Sequence, residues 1–322
     1  MTRLKVWKTA GLLVLAGAIL AGCTTPPPPL KPGPTVKVDI SPEQKLINMG
    51  FQNTHKNKLY NAQSLNSFFK KIDDRANRKV RIVQIGDSHI RGHVLPAVLR
   101  QKLSSVWGSE AMVDKKINYH TSALAEETES NGFVFHGMGK NGVTIAYYLN
   151  QNKLDEIARL KPDLIIISVG TNESHAKFVP DTYSAKLDTF MAEMKKRMAE
   201  QGIDVAFLLT TPPCSHIVKT DVSEYEDEEG KLHTQTVKTK VPNPVAADVS
   251  NFQFNYAVKH RLAVWNLYDV VGGKNNACAN WMNASLMAKD GVHYTNRGYT
   301  IQAELLGQAI LDAYRNYRRT RR

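Results

Sequence analysis

The sequence predicts an α/β fold in which crossover helices build a parallel sheet. Two observations carry this. Short apolar runs of strand length, at 80–85, 164–169, 205–209 and 262–267, alternate with longer amphipathic stretches of helical period. Once an N-terminal leader is set aside, about 280 of the 322 residues remain, which suits one large α/β domain. No internal repeat interrupts the pattern.

The first 22 residues stand apart from the fold. Arg3, Lys5 and Lys8 form a positive start, and an apolar run from Ala10 to Leu20 is too short to cross a bilayer comfortably. The run ends in Leu20-Ala21-Gly22-Cys23, small residues directly before a cysteine, which resembles a bacterial lipobox. That resemblance implies cleavage before Cys23, which then carries the lipid and anchors the protein to a membrane. A plain signal peptide or a single anchoring helix is the alternative. Thr24 follows the cysteine, where such lipoproteins sorted to the outer membrane lack Asp. Residues 23–41 contain Pro26 to Pro29, Pro32 and Pro34 and read as an extended tether. Residues 42–322 are then the globular domain.

Residues 42–71 read as helical and peripheral. The strand at 80–85 is followed by a helix over 93–106, with Pro96 early, where a missing N–H is tolerated. Residues 110–135 lack pattern apart from a short strand at Phe133-Val134-Phe135. A glycine-containing loop at 137–142 precedes a predicted helix over 144–160, which Lys161-Pro162-Asp163 breaks. The run 164–169 is the clearest strand. A long helix over 181–201 stops at Gly202. After the strand 205–209, residues 217–241 interrupt the alternation and read as an inserted hairpin or a flexible excursion. It either flanks the site or decorates the fold. A helix over 245–260, a strand over 262–267 and a C-terminal helix over 296–318 complete the chain.

Three places carry chemistry. Val83-Gln84-Ile85-Gly86-Asp87-Ser88-His89 ends an apolar run abruptly in Gly-Asp-Ser, as a buried strand does when it presents a side chain at a sheet edge. A second run ends in Gly170-Thr171-Asn172, and far downstream lies Asp290-Gly291-Val292-His293. A serine hydroxyl attacks only when a base takes its proton, and that base needs an acceptor on its other ring nitrogen. Ser88, His293 and Asp290 supply those three groups, and the Asn172 amide is a candidate donor to an oxyanion. Each piece alone is better explained as a helix cap, a surface carboxylate or a stray imidazole. Their joint occurrence, in this order, is the signal.

In these motifs the chain resembles the SGNH/GDSL hydrolase superfamily, over residues 80–315. Gly86-Asp87-Ser88 matches the first sequence block, Asn141-Gly142 the second, Gly170-Thr171-Asn172 the third, and Asp290 with His293 the last. Gly139 competes with Gly142 for the second block. The resemblance implies a flavodoxin-like three-layer α/β/α sandwich with a central parallel sheet. It implies Ser88 as nucleophile, His293 as base and Asp290 as its orienting acid. The Ser88 and Gly142 N–H groups and the Asn172 Nδ2 would form the oxyanion hole. It calls for no cofactor. Within the superfamily the closest likeness is to exported bacterial enzymes acting on acetylated cell-wall sugars or exopolysaccharides, through Gly-Asp-Ser-His, Ala-Lys-Asp-Gly-Val-His-Tyr-Thr and the nearby Cys278. An acylated glycan is the implied partner. An acyltransferase, a lysophospholipase-type esterase and a catalytically silent wall-binding lipoprotein are the rival readings.

The remaining residues have plainer readings. His89 either lines the site or starts a helix. Glu173 and His175 suit rim or structural roles, Arg91 and His93 helix starts or surface, and Trp107, Trp265 and Trp281 packing. Cys214 and Cys278 are the only cysteines after Cys23; in an exported protein such a pair points to a disulfide, with two buried thiols as the alternative. No metal-binding spacing is present. The formal net charge of +12 falls to +9 without the leader and favours anionic surroundings. The arginine-rich C-terminus reads as a solvated basic tail, so nucleic acid is not an expected partner.

Overall fold

The computed structural model describes residues 57–113 and 123–321. The expected leader, Cys23 and the proline-rich tether lie outside the described residues. The chain divides into two compact units, one carrying the sheet and the other, among the described residues, the arm Thr220–Lys238.

The sheet unit holds six strands: β1 (Leu59–Tyr60), β2 (Lys79–Gly86), β3 (Gly132–Gly139), β4 (Leu164–Ser168), β5 (Ala206–Thr210) and β8 (Ala263–Trp265), in the order β1-β8-β5-β4-β2-β3. All neighbouring pairs are parallel except β1 with β8. The parallel strands follow the flavodoxin-like order, whose ligand crevice lies outside the carboxyl ends of the strands. The antiparallel edge strand β1 departs from the all-parallel expectation. Two residues are too short a run to show a period in sequence.

Side chains along each buried strand alternate between two cores. Val80 and Ile82 face a cluster that includes Leu164, Ile166, Leu208 and Trp265, packed by helices α1 (Asn66–Asp73), α3 (Val94–Trp107) and α10 (Asn296–Arg319). Val83 and Ile85 face the other, with Ile165, Ile167, Leu209 and Val264 under helices α4 (Gln151–Arg159), α6 (Pro180–Ala199) and α7 (Pro244–Lys259). The result is the expected three-layer sandwich. Trp107, Trp265 and Trp281 are all core residues.

Several expected elements are redrawn. Of the segment 42–71, residues 42–56 lie outside the described residues; the described part is not peripheral, because Phe68 and Phe69 of α1 are fully buried. The helix expected over 144–160 is two pieces, a 3-10 turn Ile145–Leu149 and then α4. Asn150 divides them: its backbone is extended, and its side chain caps the Asn152 N–H at 3.0 Å. The strand expected over 262–267 stops at Trp265, since Leu267 already begins the short helix α8 (Leu267–Val270). Helix α9 (Gly273–Asn283) had no counterpart in the sequence reading. Residues 217–241 are a hairpin of β6 (His216–Glu226) and β7 (Leu232–Pro242).

Candidate active site

Ser88 opens the four-residue helix α2 (Ser88–Arg91) directly off the end of β2. Asp87 caps that turn, its Oδ1 accepting the His89 N–H at 3.0 Å. Two glycines let the turn lie flat on the sheet. A Cβ on Gly86 would sit 2.2 Å from Ile90 Cγ1, and one on Gly139 would sit 2.1 Å from the Arg91 nitrogen. Tyr148 ties the strand ends beneath: its hydroxyl accepts the Gly86 N–H at 3.1 Å and lies 2.6 Å from the Gly86 carbonyl and 2.8 Å from that of Met138.

The imidazole arrives from the other end of the domain. Asp290 Oδ1 accepts the N–H groups of Val292 and His293, each at 2.9 Å, which folds the turn on itself. Gly291 takes a φ of +78° there, a conformation glycine adopts at no steric cost. His293 Nδ1 lies 2.6 Å from Asp290 Oδ2, and His293 Nε2 lies 2.8 Å from Ser88 Oγ. With the proton on Nδ1 donated to the carboxylate, Nε2 accepts from the serine hydroxyl. Burial pushes the Asp290 carboxyl up, but the hydrogen bonds from the His293 ring and from the Val292 and His293 N–H groups outweigh it and hold it at about 2. It is therefore a carboxylate across the whole working range.

The other predicted residues gather at the same edge. The Lys140 N–H donates to the Gly86 carbonyl at 3.1 Å, which brings the loop after β3 beside the Ser88 turn. Gly142 lies exposed on that loop, with a φ of +71° and open space around its Cα. Asn172 Nδ2 donates to the Val143 carbonyl at 2.8 Å, so the amide and the Gly142 segment are joined. Gly139 sits against the backbone of α2 instead, which gives it a packing reason of its own. Glu173 is structural, its Oε1 accepting the Ile145 N–H at 2.8 Å, and His175 Nε2 lies 3.0 Å from Ser215 Oγ. Arg91 ends α2, and His93 is the N-terminal flank of α3.

Sequence reasoning expected the Cys214–Cys278 disulfide, which is present, but missed that it and the hairpin root support the histidine turn. Cys214 and Cys278 are bonded, with Cα atoms 5.4 Å apart, and the Cys214 carbonyl accepts the Tyr294 hydroxyl at 2.7 Å. The disulfide segment thus holds the residue next to His293. The root of the hairpin also braces the turn: the His216 N–H donates to the Gly291 carbonyl at 2.7 Å, and Lys240 Nζ bonds the Lys289 carbonyl. Position 216 lies two residues after Cys214, which the sequence did flag, but nothing local ties it to residue 291. Among the described residues, no group of His, Cys, Asp and Glu is arranged to hold a metal ion.

A serine, histidine and aspartate in hydrogen-bonded series at the carboxyl edge of a flavodoxin-like sheet define a serine ester hydrolase. The chain belongs to the GDSL-like lipase/acylhydrolase family, whose model matches residues 82–306. Its fold is similar to a solved peptidoglycan O-acetylesterase, at a TM-score of 0.60 and 16% identity, over 78% of this chain and 96% of that one. An acetylxylan esterase from Geobacillus stearothermophilus matches at a TM-score of 0.40 and 16% identity, over 72% and 94% of the two chains. No curated protein sequence matches the chain.

Proposed function

We propose that the protein removes O-acyl groups, specifically O-acetyl, from a cell-wall or extracellular glycan through an acyl-enzyme. The observation that carries the chemistry is the Ser88–His293–Asp290 series, at 2.8 and 2.6 Å. Ser88 Oγ attacks the ester carbonyl as His293 Nε2 takes its proton. The Ser88 and Gly142 N–H groups and Asn172 Nδ2 stabilise the oxyanion. His293 returns the proton to the departing sugar oxygen, leaving Ser88 acylated. It then deprotonates a water, which attacks the acyl carbonyl, and Ser88 leaves with that proton as acetate is released.

The choice of acyl group and substrate rests on different support. The fold is similar to a peptidoglycan O-acetylesterase. The Leu20-Ala21-Gly22-Cys23 run and the proline-rich stretch suit a lipoprotein anchored at Cys23 in the outer membrane and facing the periplasm, within reach of the wall. A balance of +9 without the leader suits an anionic polymer. The test is acetate release from purified O-acetylated peptidoglycan by the wild type and by Ser88→Ala. Release by the wild type alone supports the reading. No release, together with turnover of long-chain esters, overturns it in favour of a lipase. Loss of the lipid from Cys23→Ser, read by mass, tests the anchor.

A further inference from the structure

Beneath the turn that carries Ser88 lies a cavity of about 30 Å³. Part of its wall is apolar, from Leu95, Trp265 and Leu306. Beside the polar side chains of Asp87, Ser168, Thr171, Thr210 and Thr211, the rest holds three buried side chains, each with a polar atom that finds no partner among the described residues: Gln84 Oε1, His89 Nε2 and Gln302 Nε2. These residues are 1%, 4% and 1% exposed. A buried polar atom left without a partner is destabilising, so three around one cavity point to a ligand that bonds them all. The volume has room for one or two waters, and a buried water typically makes about three hydrogen bonds.

The donors and acceptors fit one assignment. Gln84 Nε2 already donates to Ser168 Oγ at 3.0 Å, which leaves Gln84 Oε1 as an acceptor facing the cavity residues. Gln302 Nε2 is a donor. The Tyr299 hydroxyl lies 2.9 Å from His89 Nδ1, and its ring packs 5.9 Å from that of Tyr294. If that hydroxyl gives its own proton to Nδ1, the ring carries its proton on Nε2. A water can then accept from His89 Nε2 and Gln302 Nε2 and donate to Gln84 Oε1. The ring is neutral, because burial and the nearby His293 push it down to about 3.

We propose that this cavity is an ordered-water site and that the water, through His89 and Tyr299, makes His89 a positioning residue for the turn that carries His293. The chain of contacts runs from Gln84 on β2, through the water, His89 and Tyr299, to the ring of Tyr294, the residue that directly follows His293. The rings of His89 and His293 are 5.4 Å apart, so His89 also packs beside the base it positions. Its ring is held on both nitrogens and is not free to compete for the Ser88 proton. The kinetic half of the proposal rests on the esterase reading above; the water half does not.

The test has two arms. A high-resolution crystal structure of the protein should show a water within hydrogen-bond distance of Gln84 Oε1, His89 Nε2 and Gln302 Nε2, and Gln302→Leu should lose it. A dry cavity, or the three side chains bonded directly to one another, overturns the site. In kinetics on an acetyl ester, His89→Phe should lower kcat about tenfold to a hundredfold with KM within about twofold, the cost of a slightly misplaced base. Tyr299→Phe should act the same way, and the double variant should be no worse than the stronger single. His89→Asn, which can keep an acceptor near the Nδ1 position, should recover more activity than His89→Gln. Wild-type kcat in His89→Phe, or additive losses, overturns the positioning role. If His89→Phe does not fold, Tyr299→Phe and Gln302→Leu decide the two halves. Wild-type protein without ester turnover would remove the catalytic reading and its positioning residue, and the crystal would still decide the water site.

Discussion

Two aspartate–histidine pairs flank Ser88, and the balance of burial against hydrogen bonding sends their carboxyls in opposite directions. Asp290 and His293 sit on an open turn, their side chains 50% and 40% exposed. Asp87 and His89 are fully inside. Asp290 is held at about 2 by its hydrogen bonds. For Asp87, burial is the largest effect and pushes the carboxyl up to about 7; the nearby Glu173 adds to it, and bonds from the His89 N–H and the Thr171 side chain only partly offset it. The open pair keeps a permanent carboxylate beside a ring that can exchange protons with substrate and water. The buried pair gives up its charge and shapes the turn on which the nucleophile stands.

The comparison breaks most decisively at the open pair. Ser88→Ala and His293→Ala should each lower kcat by on the order of 10⁴-fold or more on an acetyl ester, since neither attack nor proton transfer has a substitute. Asp290→Asn should cost about 10³–10⁴-fold, because an amide facing Nδ1 favours the tautomer whose Nε2 cannot accept from Ser88. Asp87→Asn keeps an acceptor for the His89 N–H and mimics the protonated acid, so its kcat should fall less than about tenfold. Equal losses in the two aspartate variants would show that the buried pair shares in the chemistry.

Supports of the open pair come next in size. An exposed turn has few packing contacts to fix it, and the Cys214–Cys278 bond with the Cys214–Tyr294 hydrogen bond does part of that work. Cys278→Ala should lower stability by about 2–4 kcal/mol, as expected for a loop of 64 residues, read as a lower midpoint in chemical unfolding. Activity in the folded variant should fall as well. Unchanged kcat would show that the turn holds without the staple.

The open pair was legible in the sequence and the buried one was not. Ser88, Asp290 and His293 each lie in a short local pattern, and the order of the patterns along the chain is informative. The cavity behind His89 is made by Gln84 and Gln302, 218 residues apart, and no local pattern marks either. Tyr148 reads as one more aromatic in a helix, yet it clamps Gly86. The helix break at Asn150 escaped because its apolar spacing continues across an extended residue. The strands were legible as apolar runs, but β1 is a two-residue strand made by pairing with β8. Long-range closure is what a one-dimensional reading lacks.

The last comparison separates the two carboxyls by pH. Asp87 binds its proton more tightly folded than unfolded, so its contribution to stability is fully present below about pH 4 and is lost as pH rises to about 7. The slope is at most about 1.4 kcal/mol per pH unit in that window. Asp290 has the opposite sign: its contribution is present above about pH 4 and is lost as pH falls through about 2, and solvent screening at this half-exposed site keeps it small. Unfolding midpoints in urea from pH 3 to pH 8 should therefore show a decline between pH 4 and pH 7 that is shallower in Asp87→Asn than in the wild type. Subtracting one profile from the other removes contributions common to both proteins, such as those of His175 and His216, whose rings burial pushes down. A difference that is flat across pH 4–7 would mean that Asp87 is solvated, and the contrast between the two pairs would then have to rest on something other than burial.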